Sequence, residues 1–324
     1  MNCNFLGIDI AKAKFDVALL RGERSWHRQF PNKPQGFEEL QAWLSKLGVT
    51  DLHACMEATS TYGLALATFL YEQDYTVSVV NPFQVKHFAH SELRRTKTDK
   101  VDAALIARFC RALHPEPWQP QPPELSALQA FVRRLEALQA MHTQEKNRLQ
   151  VPGMIEPVQA SIRVILEALE VEIATIQRQI EDHLCQYPQL KEQRDLLTSI
   201  PGIGETTANV ILSEIGDVKM YESARQVAAH AGLTPAQRQS GSSVHGKTSL
   251  SKRGDARLRK ALYWPAIVAL RANPILRRFA ERQREMGKAK MVIIAAAMRK
   301  LLHLAFGVLK NNKPFDPNYQ PFRP

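Results

Sequence analysis

Along the first hundred residues the spacing of apolar positions changes several times. Asn4–Ile10 is a short apolar run, Phe15–Leu20 alternates apolar and polar, and Ser25–Phe30 reads as a third strand. Glu38–Leu47 then repeats at helical spacing, Leu52–Met56 has the continuous character of a buried strand, and Gly63–Gln73 returns to helix. Thr76–Val80 is a further strand, stopped by Asn81-Pro82, and a helix follows to about His90. A basic polar loop, Arg94–Thr98, precedes a helix from Asp99 to about Leu113. Three strands followed by alternating strands and helices predict an α/β domain with a mixed sheet flanked by helices.

The proline-rich stretch His114–Pro123 cannot continue a helix and reads as a linker. Leu125–Leu149 is one long helical pattern, broken by Pro152-Gly153 and Pro157. Beyond the break, Ile162, Leu166, Leu169, Ile173, Ile176 and Ile180 alternate steps of four and three, which is a heptad seam. Two such helices around a short break predict an antiparallel coiled-coil hairpin, a candidate assembly surface. From Lys191 onward the chain reads as helical and basic. The expected domains are 1–118 (α/β), 119–190 (linker and hairpin) and 191–324 (mainly α). The chain shows no internal repeat, and no low-complexity tract beyond the proline linker.

Composition is ordinary for a folded protein, with 44% hydrophobic and 23% charged residues, but the net charge of +11 is not. Fifteen cations against three carboxylates fall between His245 and Lys300, and the rest of the chain is close to neutral. Charge concentrated in this way is the footprint of a surface that binds a polyanion, with a solvated face as the bland alternative. The cysteines, Cys3, Cys55, Cys110 and Cys185, are widely spaced without a zinc pattern, and read as buried thiols of a reducing compartment. No signal peptide is recognisable at the N-terminus. Met291–Leu309 is apolar but interrupted by Arg299, Lys300 and His303, which points to a core helix and away from a membrane span. A cytoplasmic protein is expected.

Four carboxylates carry the candidate chemistry. Asp9 ends the first strand, Glu57 follows a later strand, and Asp99 and Asp102 share one face at a helix start. Strand ends and helix starts converge on one rim of an α/β sheet, where sites form. Clustered carboxylates without histidine or thiolate favour Mg²⁺, or Mn²⁺ in its place, and such ions serve phosphodiester chemistry. Taken singly, Asp99 could be a helix cap and Glu57 a surface residue. Arg94, Arg95 and Lys97, just before the paired aspartates, are placed to hold phosphates. In the third region, Leu196–Leu212 reads as helix, Pro-Gly-Ile-Gly turn, helix, and Gly202 and Gly204 there could let a phosphate approach backbone N–H groups. The alternative is a tight corner between two helices. A Ser/Gly-rich loop between helical segments follows, at the mouth of the basic segment with Lys247, Lys252 and Arg253. It is either a flexible turn or the source of a hydroxyl nucleophile, and the residues themselves do not choose among Ser240, Ser242 and Ser243.

Gly7–Val17, Glu57–Tyr62, Lys97–Ala103, Ile200–Gly204, Ala231–Pro235 and Ser240–Ser243 together resemble the insertion-sequence 110 family of transposases, a group related to pilin-gene inversion recombinases. The resemblance runs over nearly the whole chain in unbroken order. It implies an RNase-H-like (RuvC-like) N-terminal domain, a coiled coil and a C-terminal transposase domain with a helix-hairpin-helix. It implies a catalytic, metal-binding tetrad at Asp9, Glu57, Asp99 and Asp102, and it puts the serine nucleophile on Ser240. As partners it implies double-stranded donor and target DNA, a guide (bridge) RNA, and a homo-oligomer that assembles from dimer to tetramer, with the serine of one subunit completing the site of another. No membrane is implied. Three readings compete: a RuvC-like nuclease that uses water, a non-catalytic nucleic-acid-binding scaffold, and an ATP-using relative of actin and sugar kinases. The last lacks the glycine-rich phosphate loop it needs.

Overall fold

The structure is a computed structural model that describes residues 4–58, 61–92, 99–240 and 244–318. The chain divides into two compact units, residues 1–120 and 121–324.

The first unit is a five-stranded sheet with helices on both faces. Strands β1 (Asn4–Ile10), β2 (Lys14–Arg21) and β3 (Arg24–Pro31) are antiparallel neighbours, and β4 (Leu52–Glu57) and β5 (Thr76–Val80) continue from β1 in parallel. The sheet order is β3-β2-β1-β4-β5. Because side chains alternate along a strand, the sheet has two separate cores. One face buries Leu6, Ile8, Val17, Ala54 and Met56 under α1 (Pro34–Lys46) and α2 (Leu64–Glu72). The other buries Phe5, Ala18 and Cys55 under α3 (Pro82–Ser91) and α4 (Asp99–Leu113), which supplies Ala103, Ile106, Ala107 and Cys110.

Strand β1 and helix α4 approach each other closely. A Cβ at Gly7 would fall on the backbone oxygen of Ala103 and the backbone nitrogen of Ala107. Glycine in the strand and alanines one turn apart on the helix therefore let two backbones approach more closely than any side chain allows. The far end of α4 is fixed as well. The Cys110 thiol donates to the His53 carbonyl at 3.6 Å, and the rings of His114 and Phe5 meet edge-on. These contacts orient α4 antiparallel to β1 and β4, with its N-terminus above their C-terminal ends.

The second unit is helical apart from one hairpin of strands. Helices α5 (Pro123–Leu149) and α6 (Glu156–Gln186) pack antiparallel, since His142 meets Glu170 and His183 bonds the Glu124 carbonyl. The root of this pair, with Leu128, Val132, Ile180 and Leu184, shares one core with α7 (Pro188–Thr198), α8 (Glu205–Ile215), α9 (Ala224–His230), α10 (Ala256–Ala261), α11 (Tyr263–Ala272), α12 (Pro274–Glu285) and α13 (Lys290–Asn311). Arg133 of α5 clasps the buried Glu214 of α8 through two parallel bonds of 2.9 and 2.8 Å. Toward the tip of the pair, Val164, Ile165 and Val171 are exposed, while Leu166, Leu169, Ile173 and Ile176 of the heptad seam are half-buried.

Helix α13 contains the apolar stretch noted in the sequence and is long and apolar enough to cross a membrane by length and composition. Nine of its residues, among them Ile294, Met298, Leu301 and Ala305, are instead packed in the core of this unit. Two expectations need correction. The serine-rich segment is not a loop between helices, because β6 (Pro235–Ser240) and β7 (Val244–Leu250) form an antiparallel hairpin around it. Cys185 is exposed, whereas Cys55 and Cys110 are buried as expected. Cys3 lies outside the described residues.

Gly7→Ala should lower the unfolding free energy by about 3 kcal/mol, because the added methyl overlaps helix backbone that cannot move independently. Urea denaturation measures this, and a change within about 0.5 kcal/mol would show that α4 is free to shift outward.

Candidate active site and nucleic-acid interface

The last rung of the β1–β4 pairing joins Ile8 to Met56, and both side chains belong to the core under α1 and α2. The next residues along each strand are Asp9 and Glu57. Strand alternation turns both toward the opposite face, the one that α4 covers, at the C-terminal ends of two adjacent parallel strands. Both are half-buried. Helix α4 begins at Asp99 above that end, and Asp102, also half-buried, immediately precedes the Ala103 that lies on Gly7. The fold thus brings Asp9, Glu57 and the first turn of α4 to one rim and one face. Of Asp99 only the backbone is described. Among the described residues, no three His, Cys, Asp or Glu side chains stand close enough to hold a metal ion.

One acidic neighbour escaped the sequence reading. Asp16 is paired directly with Asp9 across β1 and β2 and is buried on the same face. Gln29 donates to it at 2.9 Å, His27 lies 3.1 Å away and Lys14 3.6 Å away. Its oxygens are therefore engaged by β3 and β2, and it adds negative potential beside Asp9. A lone aspartate in the middle of the alternating run Lys14–Arg21 was the available signal.

Behind Glu57, on the same strand and face, Cys55 meets Cys110 of α4. A hydrogen bond from Cys55, helped by His53, pulls the Cys110 thiol down to about 6, while the same bond and burial push Cys55 up. This polar contact pins α4 to β4 within the apolar core.

The remaining predicted residues lie elsewhere. Arg94, Arg95 and Lys97 fall outside the described residues, as do Ser242 and Ser243. Ser240 is the last residue of β6, and its backbone pairs with Val244. Lys247 lies on β7; as with Ser240, only its backbone is described. Lys252 and Arg253 are exposed in the turn that leads into α10. That turn is held by Asp255, whose side chain caps α10 by accepting from Leu258 N–H at 2.6 Å, and whose own N–H donates to the His230 carbonyl. The sharp turn also needs Gly254, where a Cβ would strike the backbone of His230 and Gly232.

The Pro-Gly-Ile-Gly turn joins α7 to α8, and its two glycines differ. Gly202, at φ 107°, lies against Ala269 of α11, so its missing side chain serves close packing. Gly204 is the residue before α8, in extended conformation, with open space where a Cβ would stand. Of the pair, only Gly204 leaves the start of α8 approachable. Gly202→Ala should cost about 2 kcal/mol, through overpacking and an unfavourable backbone conformation. Gly204→Ala should stay within about 0.5 kcal/mol of wild type. Thermal melts of the two variants check this, and equal losses would contradict the assignment.

Comparison with known proteins supplies the identity. A transposase family model of the DEDD type of insertion sequence IS110 matches residues 6–151, and one described as "Transposase IS116/IS110/IS902 family" matches residues 194–281. The chain is 35% identical over 319 residues to the pilin gene-inverting proteins of Moraxella bovis and Moraxella lacunata, with 98% of each chain covered. It is also 26% identical over 298 residues to the transposase for insertion sequence element IS1328 of Yersinia enterocolitica, covering 81% of this chain and 82% of that one. A chain matched along both its sheet-bearing and its helical unit by these proteins belongs to the IS110 family of transposases and recombinases.

Proposed function

We propose that this protein is an insertion-sequence transposase that exchanges DNA strands by serine transesterification at a carboxylate–metal site, guided by a bridge RNA. One observation carries the reading. Asp9, Glu57 and the first turn of α4 share one face and one end of the sheet. A mixed sheet covered by helices on both faces agrees with a RuvC-like, RNase-H-like domain over residues 1–118. Residues 119–190 then serve as linker and coiled-coil hairpin, and 191–324 as the transposase domain.

The donor set suits the metal. Asp9, Glu57, Asp99 and Asp102 offer hard oxygens, and this set of four includes no thiolate or imidazole, which fits Mg²⁺ or Mn²⁺. Bound there, such an ion supplies positive charge for the attacking and leaving oxygens of a phosphodiester. The chain's own groups do the rest. The Ser240 hydroxyl attacks phosphorus and breaks the bond to the 3′ oxygen. The proton lost by the serine balances the one gained by the released 3′-hydroxyl. A 3′-hydroxyl from the exchanged strand then attacks the phosphoserine and frees Ser240. One phosphoester replaces another at each step, so the reaction needs no nucleotide hydrolysis.

Ser240 and the carboxylates stand in different units, and the serine of one subunit completing the carboxylate site of another gives them a common substrate. The apolar residues exposed toward the tip of the α5–α6 pair, Val164, Ile165 and Val171, suit a dimer that assembles to a tetramer. The cations around Lys247, Lys252 and Arg253, the segment with Arg94, Arg95 and Lys97, and the Pro-Gly-Ile-Gly turn, through Gly204 at the start of α8, hold donor and target DNA and the guide RNA. The protein works in the cytoplasm, on the nucleoid.

Incubating the protein with Mg²⁺, guide RNA and labelled donor and target duplexes tests the mechanism. Wild type should form a protein–DNA adduct that survives denaturing gels. Ser240→Ala should abolish the adduct, and Asp102→Asn should slow its formation on the order of 100-fold, equivalent to about 3 kcal/mol of barrier. Cleavage by Ser240→Ala at the wild-type rate would replace this mechanism with hydrolysis by water.

A further inference from the structure

Helix α13 has an outward stripe that the carboxylate–serine chemistry does not use. Its core side is filled by Ile294, Ala297, Met298, Leu301 and Ala305. At about 100° per residue, Arg299, His303 and Lys300 fall within one quarter to one third of the helix circumference, with Gly307 between His303 and Lys300. Val292 and Lys310, on the same stripe, are exposed. The helices beside α13 add more positive charge: α9 carries exposed Arg225, and α12 carries exposed Arg282.

Like charges gathered on a half-buried surface repel one another, and the effect is recorded at His303 and Lys300. Burial, then Arg299, Lys300 and Arg225, hold the His303 imidazole below its ordinary range. Burial, then Arg282, lowers Lys300, whose ammonium lies 5.2 Å over the Phe279 ring. Among the described residues no carboxylate acts on either group; α9 contributes only Arg225 and α12 only Arg282 to these effects, and α7 and α11 contribute no charged group. Arg299 Nε and His303 Nε2 are enclosed without a hydrogen-bond partner. Leaving buried polar nitrogens unmatched is costly, and such groups call for an explanation.

Gly307 is an independent observation. Glycine within a helix costs roughly 1 kcal/mol relative to alanine. A Cβ at Gly307 would meet nothing within 4 Å, so internal packing does not require the glycine. What it leaves is room on the outside, one turn beyond His303.

We propose that Arg225, Arg299 and Lys300, with His303 beneath them and Gly307 giving clearance, form a seat for a phosphodiester group of a nucleic-acid backbone. The seat rests on the nucleic-acid reading given above and adds a specific anion site to it. It reads no sequence, because phosphate contacts set register and affinity without distinguishing bases. It is also linked to protons. A docked phosphate offsets the cations that, after burial, depress His303, so the imidazole gains a proton on binding, and affinity rises as pH falls through the ordinary imidazole range.

The test is fluorescence anisotropy of the full-length protein with duplex DNA and, separately, with a folded RNA hairpin, each over a range of salt. Arg225 is exposed and Gly307 faces open space, so Arg225→Gln and Gly307→Glu leave the core intact, as circular dichroism can verify. Each should lower the slope of log affinity against log salt by about 0.9 on duplex DNA, the loss of one phosphate contact. Affinity should fall equally for unrelated sequences. His303→Gln should keep the affinity seen at high pH and lose the gain at low pH. A slope change on DNA alone assigns the phosphate to DNA, and a change on RNA alone assigns it to the guide. Wild-type slopes in both Arg225→Gln and Gly307→Glu, with adduct formation at Ser240 intact, would overturn the seat and leave the proposed function standing. Failure of the wild-type protein to bind either nucleic acid would overturn both.

Discussion

The close approach of α4 to β1 is the constraint on which the candidate site depends. Gly7 has no side chain, and the backbone of α4 at Ala103 and Ala107 occupies the space one would need. Core packing holds the contact on both sides, with Phe5, Ala18 and Cys55 from the sheet and Ile106, Phe109 and Cys110 from the helix. The Cys110–His53 and His114–Phe5 contacts fix the direction of α4 at its other end. Once the helix is held at this depth and in this direction, its first turn stands over the C-terminal ends of β1 and β4, where Asp9 and Glu57 emerge. Ligands to one cation must gather within a few ångströms, so a larger side chain at position 7 would disperse the site without touching a carboxylate.

Much of the first unit was legible in the sequence because burial there imposes a visible period. The apolar runs Asn4–Ile10 and Thr76–Val80 coincide with β1 and β5 at both ends, since a run buried on one or both faces announces itself and Pro82 closes the second. The β6–β7 hairpin was not legible. Pro235–Ser240 and Val244–Leu250 are mostly polar, so no apolar alternation marks them as strands. Asp16 was missed for a related reason. A polar residue at a buried strand position looks like ordinary alternation until the partners that engage it, His27 and Gln29, are brought across from β3 by the fold. The two glycines of the Pro-Gly-Ile-Gly turn look equivalent in sequence. Only the arrival of α11, far along the chain, separates Gly202 from Gly204.

The two units have opposite electrostatic characters. The first brings Asp9 and Glu57 to the C-terminal ends of β1 and β4, beside the buried Asp16. The second carries its excess of cations along the segment from β7 to α13, the sequence footprint of a polyanion-binding surface. Each satisfies locally what it can. Arg133 closes on Glu214, and Lys14, His27 and Gln29 close on Asp16. In the proposed reading, the carboxylate rim of one unit takes a divalent cation and the basic surface of the other a nucleic-acid backbone. Family membership and this division of charge agree with each other on independent grounds, one from similarity along the chain and the other from the placement of charged residues.

Anomalous diffraction from crystals grown with Mn²⁺ tests the central arrangement most directly. The account predicts a peak at the C-terminal ends of β1 and β4, beneath the start of α4, with carboxylate oxygens at roughly 2.0–2.3 Å, the range of hard divalent ions. A peak held by other residues, or Asp9 and Glu57 turned away from the first turn of α4 in a well-ordered map, would contradict it.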